Sequence, residues 1–445
     1  MTYAGEQCLR FALQDPRVQN LDKLSRYYID YYSQRICKLY ILHDSSSNPF
    51  RSLLPYALED LPLLKSISAL AARHFANTGY LFDTTVVDSS AHASAKSANA
   101  NFDALRFKSQ AIAALAESLR ADTPKSNVKD TTMATILLLI FLELLESGLD
   151  GWDVHLEGAR SLVQFCQSLS RSSAGKKRGS EMGEALRAFI DRQIETLGAA
   201  LSSPDSPFMG PDSAGYQCGG NDGRESESII RSFLGCPEFL LRSIHFFSNQ
   251  RHLIAEANLA LYNDDVVSDR IQDTVAMLEL TQTFDSFAWA SGFLQCQSSG
   301  SSGCPAEIQN LCMLSEAYKT ATLLYGRQVI GPLSPATENT ESELVLQLLN
   351  LINALRDQET LFKCLLWPTF IAGLHLHYLQ VERERHHQQM FVLDSLRRLW
   401  DLTSCLNVMT ATNILKGNWR QSALGFAETQ NTLQGVVLDR HWLLI

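Results

Sequence analysis

Apolar residues recur along this chain at the spacing of a helix, not that of a strand. In "FDALRFKSQAIAALAESL" (102–119), Leu105, Ile112, Leu115 and Leu119 fall on one stripe of a helical surface. The stretches "AEIQNLCMLSEAYKTATLLYGRQV" (306–329), "ELVLQLLNLINALRDQ" (343–358) and "QQMFVLDSLRRLWDLTSCLNVMTATNIL" (388–415) behave alike. β-branched runs such as "TTVVD" (84–88) are short and do not recur. An all-α fold follows, with paired antiparallel helices in a large helical domain and loop insertions. The longest apolar run, Met133 to Leu145, is broken by Glu143. It is too short to span a membrane and predicts a buried core helix.

Four stretches interrupt the helical pattern: 84–100, 171–183, 202–228 and 297–305. They are dominated by Ser, Gly, Ala, Pro and charged residues. The third has too little apolar surface to offset chain entropy, so it is expected to be a flexible insertion. The domain reading is a leader over 1–24 and a helical domain over 25–445.

One apolar segment breaks a local rule. "CLLWPTFIAG" (364–373) carries Pro368 in its middle and ends on Gly373. Proline lacks a backbone donor, so it suits the first turn of a new helix, with Trp367 extended before it. Trp367 and Phe370 are expected to be buried. Gly373 and Gly158 are expected to let a neighbouring helix approach closely.

Composition adds little that is exotic. The 445 residues are 45% hydrophobic and 19% charged, and the net charge is −10. An acidic chain opposes use of its whole surface for nucleic acid. The start of the chain has no charged segment followed by an apolar one, so no signal peptide is read there. The ten cysteines are scattered, as expected of free thiols in a reducing compartment. Cys296, Cys304 and Cys312 stand eight apart, a poor pattern for tetrahedral zinc.

His375 and His377 point to different sides of a helix, and His386 and His387 lie in a polar run. Lys176, Lys177 and Arg178 form a short basic cluster, read as a solvated loop in preference to a nuclear import patch or a phosphate contact. No nucleophile elbow, zinc-protease, phosphate-loop or dinucleotide motif occurs. No residue is therefore assigned as catalytic, cofactor-binding or metal-binding, and no cofactor is expected.

Three landmarks in order carry a resemblance. The first is Tyr27 to Phe75, with Asn48-Pro49-Phe50-Arg51 and Leu53-Leu54-Pro55. The second is "WDVHLEGARSLV", with His155, Leu156, Gly158 and Ala159. The third is Leu366-Trp367-Pro368 through Gly373. Together they resemble the fungal-specific transcription factor domain of zinc binuclear cluster regulators.

That resemblance implies a non-enzymatic, nuclear transcriptional regulator of a metabolic or secondary-metabolite gene set. It implies a protein partner, as a homodimer or a heterodimer with a zinc-cluster factor, and a small-molecule effector, with no membrane. The family's six-cysteine zinc module is not matched here, since only Cys8 precedes the helical region. DNA is therefore expected to be reached indirectly or through a missing N-terminal module. The alternative is a repurposed helical domain that binds or acts on a small molecule of a biosynthetic pathway.

Overall fold

The computed structural model describes residues 16–42, 44–45, 48–82, 95–121, 130–147, 151, 154–159, 161–162, 186–190, 193, 235–259, 264–295, 305–330 and 338–423. Among them every regular element is a helix. The stretches 171–183 and 202–228, with 83–94 and 296–304, lie outside the described residues. The chain divides into two compact units, one formed by 1–197 with 393–445 and the other by 198–392.

The first unit contains α1 (Lys23–Gln34), α2 (Leu61–Asn77), α3 (Ala95–Ala121) and α4 (Asp130–Glu146). Local chemistry starts the first two. Asp22 caps α1 by accepting from the amides of Leu24 and Ser25 at 3.0 and 2.9 Å. Asp60 caps α2 through the amide of Leu63 at 3.0 Å, and its other oxygen accepts from the Thr131 hydroxyl on α4 at 2.9 Å. Ahead of α1, Pro16–Gln19 forms a single helical turn with Val18 buried.

α4 is the centre of this unit. It is buried all round from Thr131 to Leu145 and packs against α2, α3 and the last helix. Each buried Leu or Ile there contributes about 1.5–3 kcal/mol relative to exposure. This is the core helix that the run Met133 to Leu145 predicts; no described helix is long and apolar enough to cross a membrane.

The corner "NPFR" explains the first landmark. Asn48 is fully buried and caps the turn Pro49–Ser52 through the amide of Phe50. Its amide nitrogen donates to the Cys37 carbonyl at 2.7 Å and to Asp44. Arg51 grips Asp44 with two nitrogens, at 3.1 and 2.7 Å, and donates to the Ser33 carbonyl at 2.7 Å. Phe50 meets Phe141 and Phe189, and Tyr40 stacks on Phe141 at 4.2 Å.

The second unit contains α5 (Glu238–Leu259), α6 (Asp264–Gln282), α7 (Ser286–Gln295), α8 (Pro305–Ile330), α9 (Glu338–Ala354) and α10 (Leu366–Leu374). α8 is its axis, packing against all five others. The approach is closest at Gly326, where an added Cβ would lie 2.7–2.8 Å from Phe247 and Leu278. α11 (Glu382–Thr403) begins in the second unit and ends in the first, where α12 (Leu406–Ala423) packs on α4.

The structure corrects four details. Residues 95–100, expected as loop, form the start of α3, because Ala is a strong helix former and buried Ser97 anchors the turn to the Ala76 carbonyl at 2.6 Å. Pro305, expected in a linker, is the first residue of α8, where its missing N–H has no helical partner to lose. On α3, Leu105, Ile112 and Leu119 are exposed, and of the expected stripe only Leu115 is buried. The inward face is instead Ala100, Ala104, Phe107, Ala111 and Leu115, whose three alanines let α2 lie close. Finally, Gly158 has nothing within 4 Å of where a Cβ would be, so it is not a close-approach position.

Two buried histidines give the fold a pH signature. His74 on α2 meets the Tyr31 hydroxyl at 2.9 Å and donates to the Thr403 backbone, and burial, aided by Arg35, pushes it down to about 4. His375 is likewise pushed down to about 4 by burial, against the opposing bond to the Ile371 carbonyl. A histidine with a lowered folded-state value takes up its proton first in the unfolded chain. Stability should therefore fall as pH drops from about 6.5 to about 4, by up to about 3 kcal/mol per histidine. The carboxylates held below their usual range, Asp22, Asp44 and Glu143, weaken the fold only at lower pH. Urea midpoints between pH 7 and 5 measure this; a flat profile over that window would contradict it, and His74→Gln should flatten the wild-type slope.

Candidate functional site

The second landmark closes over a buried carboxylate. Glu143 interrupts the apolar face of α4, and an isolated charge there would be costly. Lys108 reaches across from α3 to Glu143 at 2.7 Å and to Glu146, one helical turn on, at 2.6 Å. His155, on the helical turn 154–159, places Nε2 3.4 Å from the same Glu143 oxygen. Gly151 takes φ +86°, and a Cβ on it would sit 2.9 Å from the Glu143 carboxyl carbon. Leu156 and Ala159 bury beneath the turn.

The electrostatics follow from this geometry. Burial alone would raise Glu143, but the hydrogen bonds from His155 and Lys108 outweigh it and hold the carboxyl below its usual range. Burial would lower Lys108, and the two glutamates more than reverse that. Glu143 and Lys108 are therefore both held in their charged forms at neutral pH, and their contacts tie Gly151 and the turn 154–159 to α3 and α4. Sequence alone flagged Glu143 as an anomaly and His155 as a landmark. It could not select Lys108 from 38 basic residues, because the pairing joins positions 35 apart.

The third landmark is an aromatic joint. Pro368 is the third residue of α10, inside the first turn as expected, and the first helical hydrogen bond runs from Thr369 to Leu365 at 2.9 Å. The carbonyl four residues before the proline, that of Cys364, has no backbone donor at 368. It accepts from the Tyr318 hydroxyl of α8 at 2.6 Å. Trp367 stacks on Tyr318 at 6.1 Å and meets Tyr325 edge-on at 6.2 Å. Phe370 is buried as expected. Trp367 differs: it is helical, not extended, and only half-buried.

The other candidates form no chemical site. His375 and His377, expected on different sides of a helix, instead lie on a tight turn after α10 with their rings stacked at 6.0 Å, and their Nδ1 atoms bond the carbonyls of Ile371 and Leu374 at 2.8 and 3.0 Å, capping the helix end. His386 and His387 are exposed on α11. Cys312 is half-buried on α8, and Cys296, Cys304, Lys176, Lys177 and Arg178 lie outside the described residues. Among the described residues, no three His, Cys, Asp or Glu side chains are placed to hold a metal. An open groove of about 560 Å³ runs along α9, lined by Glu343, Leu346, Gln347, Asn350, Leu351 and Ala354. Walls from a single helix leave most of a ligand in water, unlike an enclosing small-molecule site.

The clamp makes a direct prediction. Lys108→Met leaves Glu143 and Glu146 short of their cation and should cost about 2–3 kcal/mol. Adding Glu143→Leu should recover most of that loss. Denaturant midpoints of the two singles and the double variant decide it; additive losses would show that the pair does not act as a unit.

Comparison with known proteins agrees with the landmarks. A family model described as "Fungal specific transcription factor domain" matches residues 26–442. The acriflavine sensitivity control protein acr-2 of Neurospora crassa is 22% identical over 440 residues, covering 93% of this chain and 65% of that protein. The chain thus spans slightly less than two thirds of that relative. No solved structure matches. With the family model covering nearly the whole chain and all three landmarks inside it, this protein belongs to the fungal-specific transcription factor domain family.

Proposed function

We propose that the chain is a nuclear regulator of transcription that acts through its helical units and reaches DNA by way of a protein partner. The observation that carries this reading is the family match over 26–442, which encloses every landmark. The geometry is in keeping with it. Histidines weighed as candidates for chemistry, His375 and His377, are engaged in framework contacts, as is the landmark residue His155. The groove on α9 is a surface feature with no converging polar groups from other elements. The net charge of −10 favours protein contacts over phosphate contacts.

The gene set under control is proposed to be metabolic, with secondary metabolism as its centre. A second reading has one support: the name of the Neurospora crassa relative speaks of control of acriflavine sensitivity. On that reading the genes handle toxic small molecules. Deletion of the gene followed by transcript profiling, with growth on acriflavine, separates the two. A confined metabolic set with unchanged sensitivity favours the first, and altered efflux or detoxification transcripts with altered sensitivity favours the second. The regulatory reading itself would be overturned if a tagged chain stays out of the nucleus, transcripts do not change, and the purified protein converts a pathway intermediate.

A further inference from the structure

The outward face of α6 is acidic and apolar at once. Between Asp264 and Asp285 the sequence holds six acidic residues and one basic, half of the chain's net charge of −10. Asp269, Asp273, Ala276 and Leu280 follow at steps of four, three and four along one exposed ridge of the helix. Val275 and Glu279 stand exposed on the ridge beside it. Leu280 is 50% exposed and Val275 38%. The opposite side of α6 is the one that packs: Thr274 and Thr281 are buried, and Leu278 lies against Gly326 of α8.

The carboxylates on this face are not used inside the fold. Among the described residues, Asp269, Asp273 and Glu279 form no ion pair. The negative field continues past the end of the helix, where Asp285 and Glu316 add to burial in raising the Cys312 thiol. Five residues beyond α6, Phe287 is 59% exposed, and Asp285 fixes the start of α7 by accepting from the amides of Phe287 and Ala288 at 3.0 and 2.9 Å. Large apolar side chains set among unpaired charges of one sign call for a partner of the opposite sign with an apolar side of its own.

We propose that this face of α6 is a docking surface for a basic amphipathic helix of another protein, which sets its apolar side chains on Val275 and Leu280 and its Lys or Arg side chains against Asp269, Asp273 and Glu279. Two neighbouring ridges at helical spacing accept the ridges of a second helix. A second copy of this chain is disfavoured there, because it would bring carboxylates against carboxylates. Nucleic acid is disfavoured for the same reason. From Asp269 to Leu280 the face is about 17 Å long. A contact of that length stays below the roughly 800 Å² per partner of a standard interface, so the complex is of the micromolar class. The inference stands apart from the regulatory reading, since it rests on charge and exposure alone and its test reads neither nuclear entry nor transcripts.

The probe is a synthetic lysine–leucine peptide of about 18 residues, or about 27 Å of helix, with its leucines on one side. Fluorescence anisotropy against the full chain should show saturable micromolar binding. The same peptide with glutamate in place of lysine should not bind. Leu280→Ser should weaken binding about 5- to 10-fold, and Asp273→Lys combined with Glu279→Lys about 10-fold or more. All three positions are exposed, so circular dichroism and melting temperature should stay unchanged. Glu359→Lys combined with Glu382→Lys changes the net charge equally at exposed sites on other helices and should leave the affinity as it is. No binding of the lysine–leucine peptide, equal losses in the two double variants, or no loss in Leu280→Ser would each overturn the proposal. A dimer in sedimentation equilibrium that Leu280→Asp dissolves would give the face to a second copy and overturn it too.

Discussion

The first unit depends on the C-terminal end of α2. Asn77 is fully buried there, and its amide nitrogen donates to two carbonyls at once, those of Leu145 and Ser404, each at 2.9 Å. Both are carbonyls at helix C-terminal ends, where the last groups have no partner within the helix. One turn earlier, His74 does the same for Thr403 while holding Tyr31 of α1. Ser404 takes φ +49°, a conformation an L-residue adopts only when its surroundings fix it. A single helix end thus ties together segments up to 327 positions apart. Without it, α4 and α11 would end in buried carbonyls facing nothing.

The same economy appears at each landmark of the family. Asn48 and Arg51 satisfy the backbone of a corner, the Lys108–Glu143–His155 clamp holds the turn after α4, and Tyr318 answers the carbonyl that Pro368 leaves without a donor. These residues are recognisable because their geometric tasks allow few substitutes. Only Asn both donates to Cys37 and accepts from Phe50 in the space available. They define the scaffold and carry no information about target genes. That is why a sequence can announce its family clearly and its regulon not at all.

Helical periodicity made the fold class and the core helix legible, since burial all round α4 demands an unbroken apolar run. Periodicity misled on α3, where two stripes compete. Hydrophobicity favours Leu105, Ile112 and Leu119, but close packing on α2 selects the smaller Ala100, Ala104 and Ala111. Size complementarity between helices is a tertiary property that a single stripe does not show. Trp367 differs for a related reason: its contacts, stacked on Tyr318 and edge-on to Tyr325, come from a helix distant in sequence. Lys108, Tyr318 and Asn77 went unmarked because their partners are distant in sequence, while Glu143 and Pro368 stood out through local rules they appear to break.

The most direct test of this account is native-state hydrogen exchange on Asn77→Ala. Removing the amide leaves the Leu145 and Ser404 carbonyls buried and unpaired, a loss of about 1–3 kcal/mol each. Amides in the last turn of α11 and in α12 should then exchange about 10- to 100-fold faster than in the wild-type chain. Amides of α8 in the second unit should keep their protection. Unchanged exchange in α12 would show that the C-terminal segment is held by other means and that the end of α2 is not the joint of the fold.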